Sequence, residues 1–157
     1  MLNFNLTTAM GTDSVDYAQR GILLTTVATS YSEIIRGLAY DENADTTYIP
    51  ADQLSLLTPA NRLGPEKAIE DTIRWMNDVD DFNGKTFDKT ISGSERTFRT
   101  IFRVYYVNSQ DPTQFMASPT LVKRVDMKTW QISPVLTNST PGDTLQSQIL
   151  IGYFHFN

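Results

Sequence analysis

Residues 13–38 read DSVDYAQRGILLTTVATSYSEIIRGL, and the spacing of their apolar side chains decides the fold. Val15, Ala18, Ile22, Leu23 or Leu24, Val27, Tyr31, Ile34, Ile35 and Leu38 recur at helical period, which draws an apolar stripe along an α-helix. Asp13 and Ser14 suit the N-cap, and Asp16 adds negative charge to the first turn. Asp16 and Arg20 stand one helical turn apart and can pair. At ~1.5 Å per residue the helix reaches about 40 Å. It is expected to end near residues 37–41.

Between Arg20 and Glu33 no residue carries a charge. The side away from the stripe holds Thr25, Thr26, Thr29, Ser30 and Ser32, where a helix facing open water normally carries Lys and Glu. Two arrangements satisfy this pattern. Either the helix is enclosed within its own domain, or one face lies on the protein's own sheet and the other against neighbouring subunits.

Downstream, residues 43–64 are polar and punctuated by Pro50 and Pro59. They read as an ordered loop, with a short strand expected at Thr46–Ile49. Residues 65–77, PEKAIEDTIRWMN, predict a short helix. Pro65 suits its first turn, Glu66 lies near its positive end, and Ile69, Ile73 and Met76 share a face.

The second half alternates. In residues 96–108, Phe98, Phe102, Val104 and Tyr106 oppose Arg99, Ile101, Arg103, Tyr105 and Val107, the period of a half-buried strand. Residues 121–132 place Leu121, Val125 and Met127 on one face. Val122, Trp130 and Ile132 lie on the other, beside Arg124, Asp126 and Lys128. Pro134 and a turn at Thr140–Asp143 precede a third run, residues 145–156, where Leu145, Ile149 and Ile151 alternate with Gln146 and Gln148. Consecutive strands joined by loops imply an antiparallel sheet. The predicted architecture is α+β in a single domain over residues 1–157. A long helix (13–39) is followed by loop and short helix (40–95) and by an antiparallel sheet of three or more strands (96–157).

Composition narrows the function. A net charge of −5 and the absence of any basic stripe beyond Lys123-Arg124 argue against a nucleic-acid partner. Cysteine is absent, which excludes disulfides, thiolate metal sites and cysteine nucleophiles. The single histidine, His155, reads as an ordinary strand residue. No run approaches the ~18 apolar residues of a membrane span, and the first six residues are too polar for a signal-peptide core. Gly-x-Ser-x-Gly, phosphate-loop and dinucleotide fingerprints are all missing. Tyr105, Tyr106, Trp130, Tyr153, Phe154 and Phe156 follow strand alternation and read as sheet core and surface, not a ligand box.

Residues 27–43, VATSYSEIIRGLAYDEN, resemble the end of the N-terminal helix in type IV pilin-like proteins and pseudopilins, through Ala28, Ser30, Glu33, Ile34, Ala39, Tyr40, Asp41 and Glu42. DVDDFNG at 78–84 is similar to an acidic loop of minor-pilin-like relatives, and LVKRVDMKTW at 121–130 to a strand of the same group. The resemblance implies a filament subunit whose hydrophobic N-terminal helix anchors it in the membrane before assembly and lines the filament core afterwards. The sheet then faces outward. The family's cleavage site and its ~20 apolar residues do not occur in this sequence. On this reading residues 1–12 are the last part of that segment.

The acidic stretch at 75–88, WMNDVDDFNGKTFD, offers many oxygen ligands: Asn77, Asp78, Asp80, Asp81, Asn83 and Asp88. Counted back from Gly84, the first ligand position of an EF-hand loop falls on Val79, so that register fails. An irregular calcium cage centred on Asp78, Asp80, Asp81 and Asn83 stays open, because hard cations accept irregular oxygen sets. The alternative is a solvated turn, with Asn83-Gly84 supplying positive φ and Phe82 and Phe87 packing inward. Acid–base catalysis would require one aspartate to be buried with a raised pKa. Adjacent aspartates in such a turn are expected to be exposed and ionised.

These readings converge on a non-enzymatic structural protein without an obligatory cofactor. It is expected as a subunit of an extracellular pilus-like filament or secretion pseudopilus, held in the periplasm and inner membrane before assembly. Its partners would be copies of itself or other pilin-like subunits. Val15, Ile22, Val27, Tyr31, Ile34 and Leu38, with Thr25, Thr29 and Ser32, form the expected assembly helix. A monomeric exported binding module, calcium-dependent through the acidic loop and recognising protein or glycan, is the alternative.

Overall fold

The computed structural model describes residues 2–44, 48–135 and 144–153. The chain is α+β: helix α1 (Leu2–Arg36) packs on a four-stranded antiparallel sheet of β1 (Thr86–Ile91), β2 (Arg96–Tyr106), β3 (Val122–Ser133) and β4 (Thr144–Gly152), in the order β1-β2-β3-β4. Helix α1 starts at Leu2, so the N-terminus expected at residues 13–14 falls inside the helix. The preceding residues contain no proline, and a lone Gly11 lowers helical preference by only ~1 kcal/mol. At the other end Gly37 N and Leu38 N donate to Ile34 O and Ile35 O, a tightening that closes the last turn.

The face that α1 lays on the sheet is narrower than the expected stripe. Leu24, Val27, Ala28, Tyr31 and Ile35 are buried, and Leu23, Ile34 and Leu38 pack beside them. Val15 is 60% exposed and Ile22 66%. The correction follows from helix geometry: at ~100° per residue, Ile22 points about 180° away from Tyr31. The expected stripe had merged two opposite faces.

Between the sheet and α1, Tyr31, Phe82, Phe87 and Phe102 form one aromatic cluster with centroids 5.0–6.3 Å apart, edge to face except for the near-parallel Tyr31–Phe87 pair. Strand alternation puts Phe98, Thr100, Phe102, Val104 and Tyr106 of β2 inward, opposite Val125, Met127 and Thr129 of β3. Thr100 and Thr129 share a hydrogen bond of 3.0 Å inside this core. The outer face of the sheet is mixed: Asp88 and Arg99 pair across β1 and β2, Gln146 and Gln148 are exposed, and Ile101, Trp130 and the half-exposed Leu150 share that side.

Three local expectations change. β1 occupies residues expected as loop; it is a half-exposed edge strand whose Thr-Phe-Asp-Lys-Thr-Ile alternation is short. The helix expected at 65–77 is instead two 3₁₀ turns, Ala68–Asp71 and Ile73–Trp75. Thr72 between them is extended (φ −115°, ψ 139°), which a continuous helix cannot contain. Met76 is buried, but Ile69 is 54% exposed, so the expected shared face does not exist. Tyr48 and Ile49 lie in no strand. The rest of the strand expected at 46–49, the turn at 140–143, His155, Phe154 and Phe156 lie outside the described residues.

Candidate functional site

The acidic stretch is buried. Asp78, Asp80 and Asp81 are each 0% exposed, and Asp41 joins them from the chain just beyond α1. Their neutralising cation comes from β3. Lys123 lies on the inward parity of that strand, with Val125 and Met127, and is itself fully buried. Its Nζ donates to Asp80 Oδ1 at 2.5 Å, to Tyr40 O at 2.7 Å and to Asp41 Oδ2 at 3.2 Å. Tyr40 and Tyr106 present ring faces to the same ammonium at 4.7 and 5.3 Å. A buried lysine requires such company, since an unpaired ammonium in the interior is strongly disfavoured.

Each carboxylate also ties backbone. Asp41 accepts from Asn43 N, Thr58 N and the Tyr106 hydroxyl, which fastens the loop before the 3₁₀ turns to the sheet. Asp78 Oδ1 accepts from Asp80 N and Asp81 N, and its Oδ2 accepts from Glu42 N. Asp81 Oδ2 accepts from Asn77 N and Asp78 N. Ala39 and Asp78 form an isolated parallel bridge, so the end of α1 and the acidic turn are joined by backbone as well. Burial first, then the adjacent Asp80, pushes the Asp78 carboxyl up to about 8.

The expected picture of exposed, ionised aspartates in a solvated turn is therefore replaced by a buried ionic junction. Gly84 supplies the positive φ of the turn (78°). Asn83 stays at φ −64°, and its side chain donates to Leu63 O and accepts from Val104 N. Of the expected calcium ligands, Asp78 and Asn83 spend their oxygens on backbone donors. Only Asp80 Oδ2 and Asp81 Oδ1 remain buried without a partner. One carboxylate oxygen of Asp81 instead lies with one each of Glu66 and Glu70, all within 4.8 Å of one another. Burial first, and then Glu42, pushes the Glu66 carboxyl up to about 7.

A second feature lies on the far side of α1. Val15, Ala18, Ile22, Thr25 and Thr29 are all exposed, with half-buried Ser32 continuing the row. Their spacing of three and four residues is the seam of a helix that meets another helix. The hydroxyls of Thr25, Thr26 and Ser32 donate back to Gly21 O, Ile22 O and Ala28 O, each at 2.9 Å. They therefore need no water, and this surface loses little on dehydration. A side chain added at Gly21 would meet nothing within 4 Å, so the backbone is open to close approach there. Of the expected assembly residues, Val27, Tyr31, Ile34 and Leu38 belong to the protein's own core, while Val15, Ile22, Thr25 and Thr29 are free of it.

Sequence reasoning missed Lys123 and Glu70. A lysine at an inward strand position was the available signal for the first, since it demands a buried carboxylate. For Glu70, buried to 2% exposure, the expected helix hid its role. Among the described residues no helix is long and apolar enough to cross a membrane. Compared with family models, curated proteins and solved structures, the chain finds no match.

Proposed function

We propose that the protein is a structural subunit of an extracellular filament of the type IV pilus or secretion pseudopilus kind, assembling through the outer face of α1. The observation that carries this reading is the exposed row Val15, Ala18, Ile22, Thr25 and Thr29. Single exposed apolar residues are ordinary on a protein surface, but a row at three-and-four spacing, in which the Thr25 hydroxyl is already bonded to Gly21 O, is suited to another helix. The resemblance of residues 27–43, 78–84 and 121–130 to pilin-like proteins supports the same reading. In this role Leu24, Val27, Tyr31 and Ile35 hold the head on the helix, and the opposite face holds one helix on the next.

The cysteine-free chain permits a direct test. Thr25→Cys is introduced into the native full-length product and oxidised under assembly conditions. Helix-to-helix assembly gives disulfide-linked dimers and fibres by electron microscopy. A product that yields neither, at concentrations where it is folded, overturns the filament reading.

A further inference from the structure

Glu66, Glu70 and Asp81 come from two separate turns, yet one carboxylate oxygen of each lies within 4.8 Å of the other two. Glu70 and Asp81 are 2% and 0% exposed, whereas Glu66 stands at the surface. Asp81 Oδ2 is committed to Asn77 N and Asp78 N. Its Oδ1 is buried with no partner, so it is the oxygen left to ligate. An orphaned carboxylate oxygen beside two further carboxylates is an unfavourable arrangement unless something positive joins it. Lys67 offers partial relief only: its ammonium lies 3.3 Å from Glu70 Oε1, and its side chain is 63% exposed.

We propose that Glu66, Glu70 and Asp81 form a binding site for a divalent cation of calcium size. All three ligands are hard carboxylate oxygens, the donor class that calcium and magnesium prefer. Oxygens on a calcium ion, at about 2.3–2.6 Å, can stand up to about 5 Å apart, whereas on magnesium they must close to about 4.2 Å. The observed spacing already meets the calcium limit. Entry is from solvent: Glu66 lines an open pocket with Glu42, Thr58, Pro59, Arg62 and Gly64. Glu42 adds negative potential there and Arg62 opposes it. Water from that side would complete the coordination sphere. The ion would clamp the 66–71 segment to the buried turn at 78–82, beneath the inward face of the sheet. This site does not depend on the filament reading.

The test uses the full chain, stripped with chelator and melted as calcium is titrated to about 1 mM. The expected result is a saturable rise in midpoint of about 5–10 °C once calcium exceeds Kd by ~100-fold, with one ion per chain by calorimetry. Glu66→Gln, at an exposed position that the fold tolerates, weakens binding by at least about tenfold. Asp88→Asn, a carboxylate on the outer face of the sheet, leaves the rise unchanged. No saturable rise with calcium overturns the proposal, as does a rise that survives in Glu66→Gln or vanishes in Asp88→Asn. An equal rise with magnesium overturns the assignment of ion size.

Discussion

Lys123 Nζ lies 2.5 Å from Asp80 Oδ1, and neither side chain is exposed. The pair joins the start of β3 to the turn that precedes β1. Asp41, 3.2 Å from the same ammonium, brings in the chain that leaves α1. One side chain thus holds helix exit, acidic turn and sheet together.

Replacing Lys123 by methionine keeps the length of the side chain and removes its charge. Asp41 and Asp80 then remain buried beside Asp78 with no cation. We expect a loss of about 3–5 kcal/mol, the usual cost of removing one member of a buried ion pair. Urea unfolding measures it. A loss below about 1 kcal/mol would mean that the junction contributes no more than apolar filling would.

How much of this was legible beforehand differs by feature. The β2 alternation of Phe98, Phe102, Val104 and Tyr106 against Arg99 and Arg103 named the inward face correctly, because period two survives any choice of partner strand. The helix was legible as an element, but not which side faced the sheet. Its two apolar rows, Leu24-Val27-Tyr31-Ile35 and Val15-Ile22, are both hydrophobic, and only packing separates them. β1 was hidden because an edge strand of six residues, half of them exposed, carries little apolar signal. The acidic turn misled for a different reason. Burial of Asp78, Asp80 and Asp81 depends on Lys123, which lies more than forty residues further along the chain, and no local pattern reports so distant a partner.

Asn83 connects two segments with one amide. Its Nδ2 donates to Leu63 O at 2.8 Å and its Oδ1 accepts from Val104 N at 3.1 Å. Asn83→Ala strands both backbone groups. The expected cost is about 1–3 kcal/mol. Amide hydrogen exchange should show the Val104 N–H opening faster in the variant, while Ile149 on β4 changes only as far as global stability falls. An unchanged rate at Val104 would place its true acceptor elsewhere.

Acid should release α1 from β2 at one point. Arg96, hydrogen-bonded to Asp16, holds that carboxyl below the usual carboxylate range, and Arg20 assists. Because the folded pKa is below the unfolded one, the contribution is present above about pH 4 and is lost as pH falls through the folded value. The Asp16 side chain is 46% exposed, so solvent screening limits the gain to about 0.5 kcal/mol. Wild type and Asp16→Asn should differ by this amount at pH 6 and converge near pH 3. A difference that persists undiminished in acid would show that Asp16 acts through packing and not through charge.

Ile22 and Leu24 are two residues apart on one helix, 66% and 3% exposed respectively. Leu24→Ala empties part of the core and should cost about 2–4 kcal/mol. Ile22→Ser changes an exposed side chain outside the core, at the rim of a shallow cleft with Gly93, Ser94 and Arg96, and should leave unfolding unchanged within about 0.5 kcal/mol. Assembly should reverse the order. If the outer face of α1 meets a neighbouring helix, Ile22→Ser reduces fibre formation or raises the critical concentration, because it puts a polar group into a dehydrated seam. Leu24→Ala should alter assembly only as far as it unfolds the head. Sedimentation of the assembled fraction beside urea melts of the same samples separates the two effects. If Ile22→Ser assembled as wild type does, the outer row would be an ordinary solvent face.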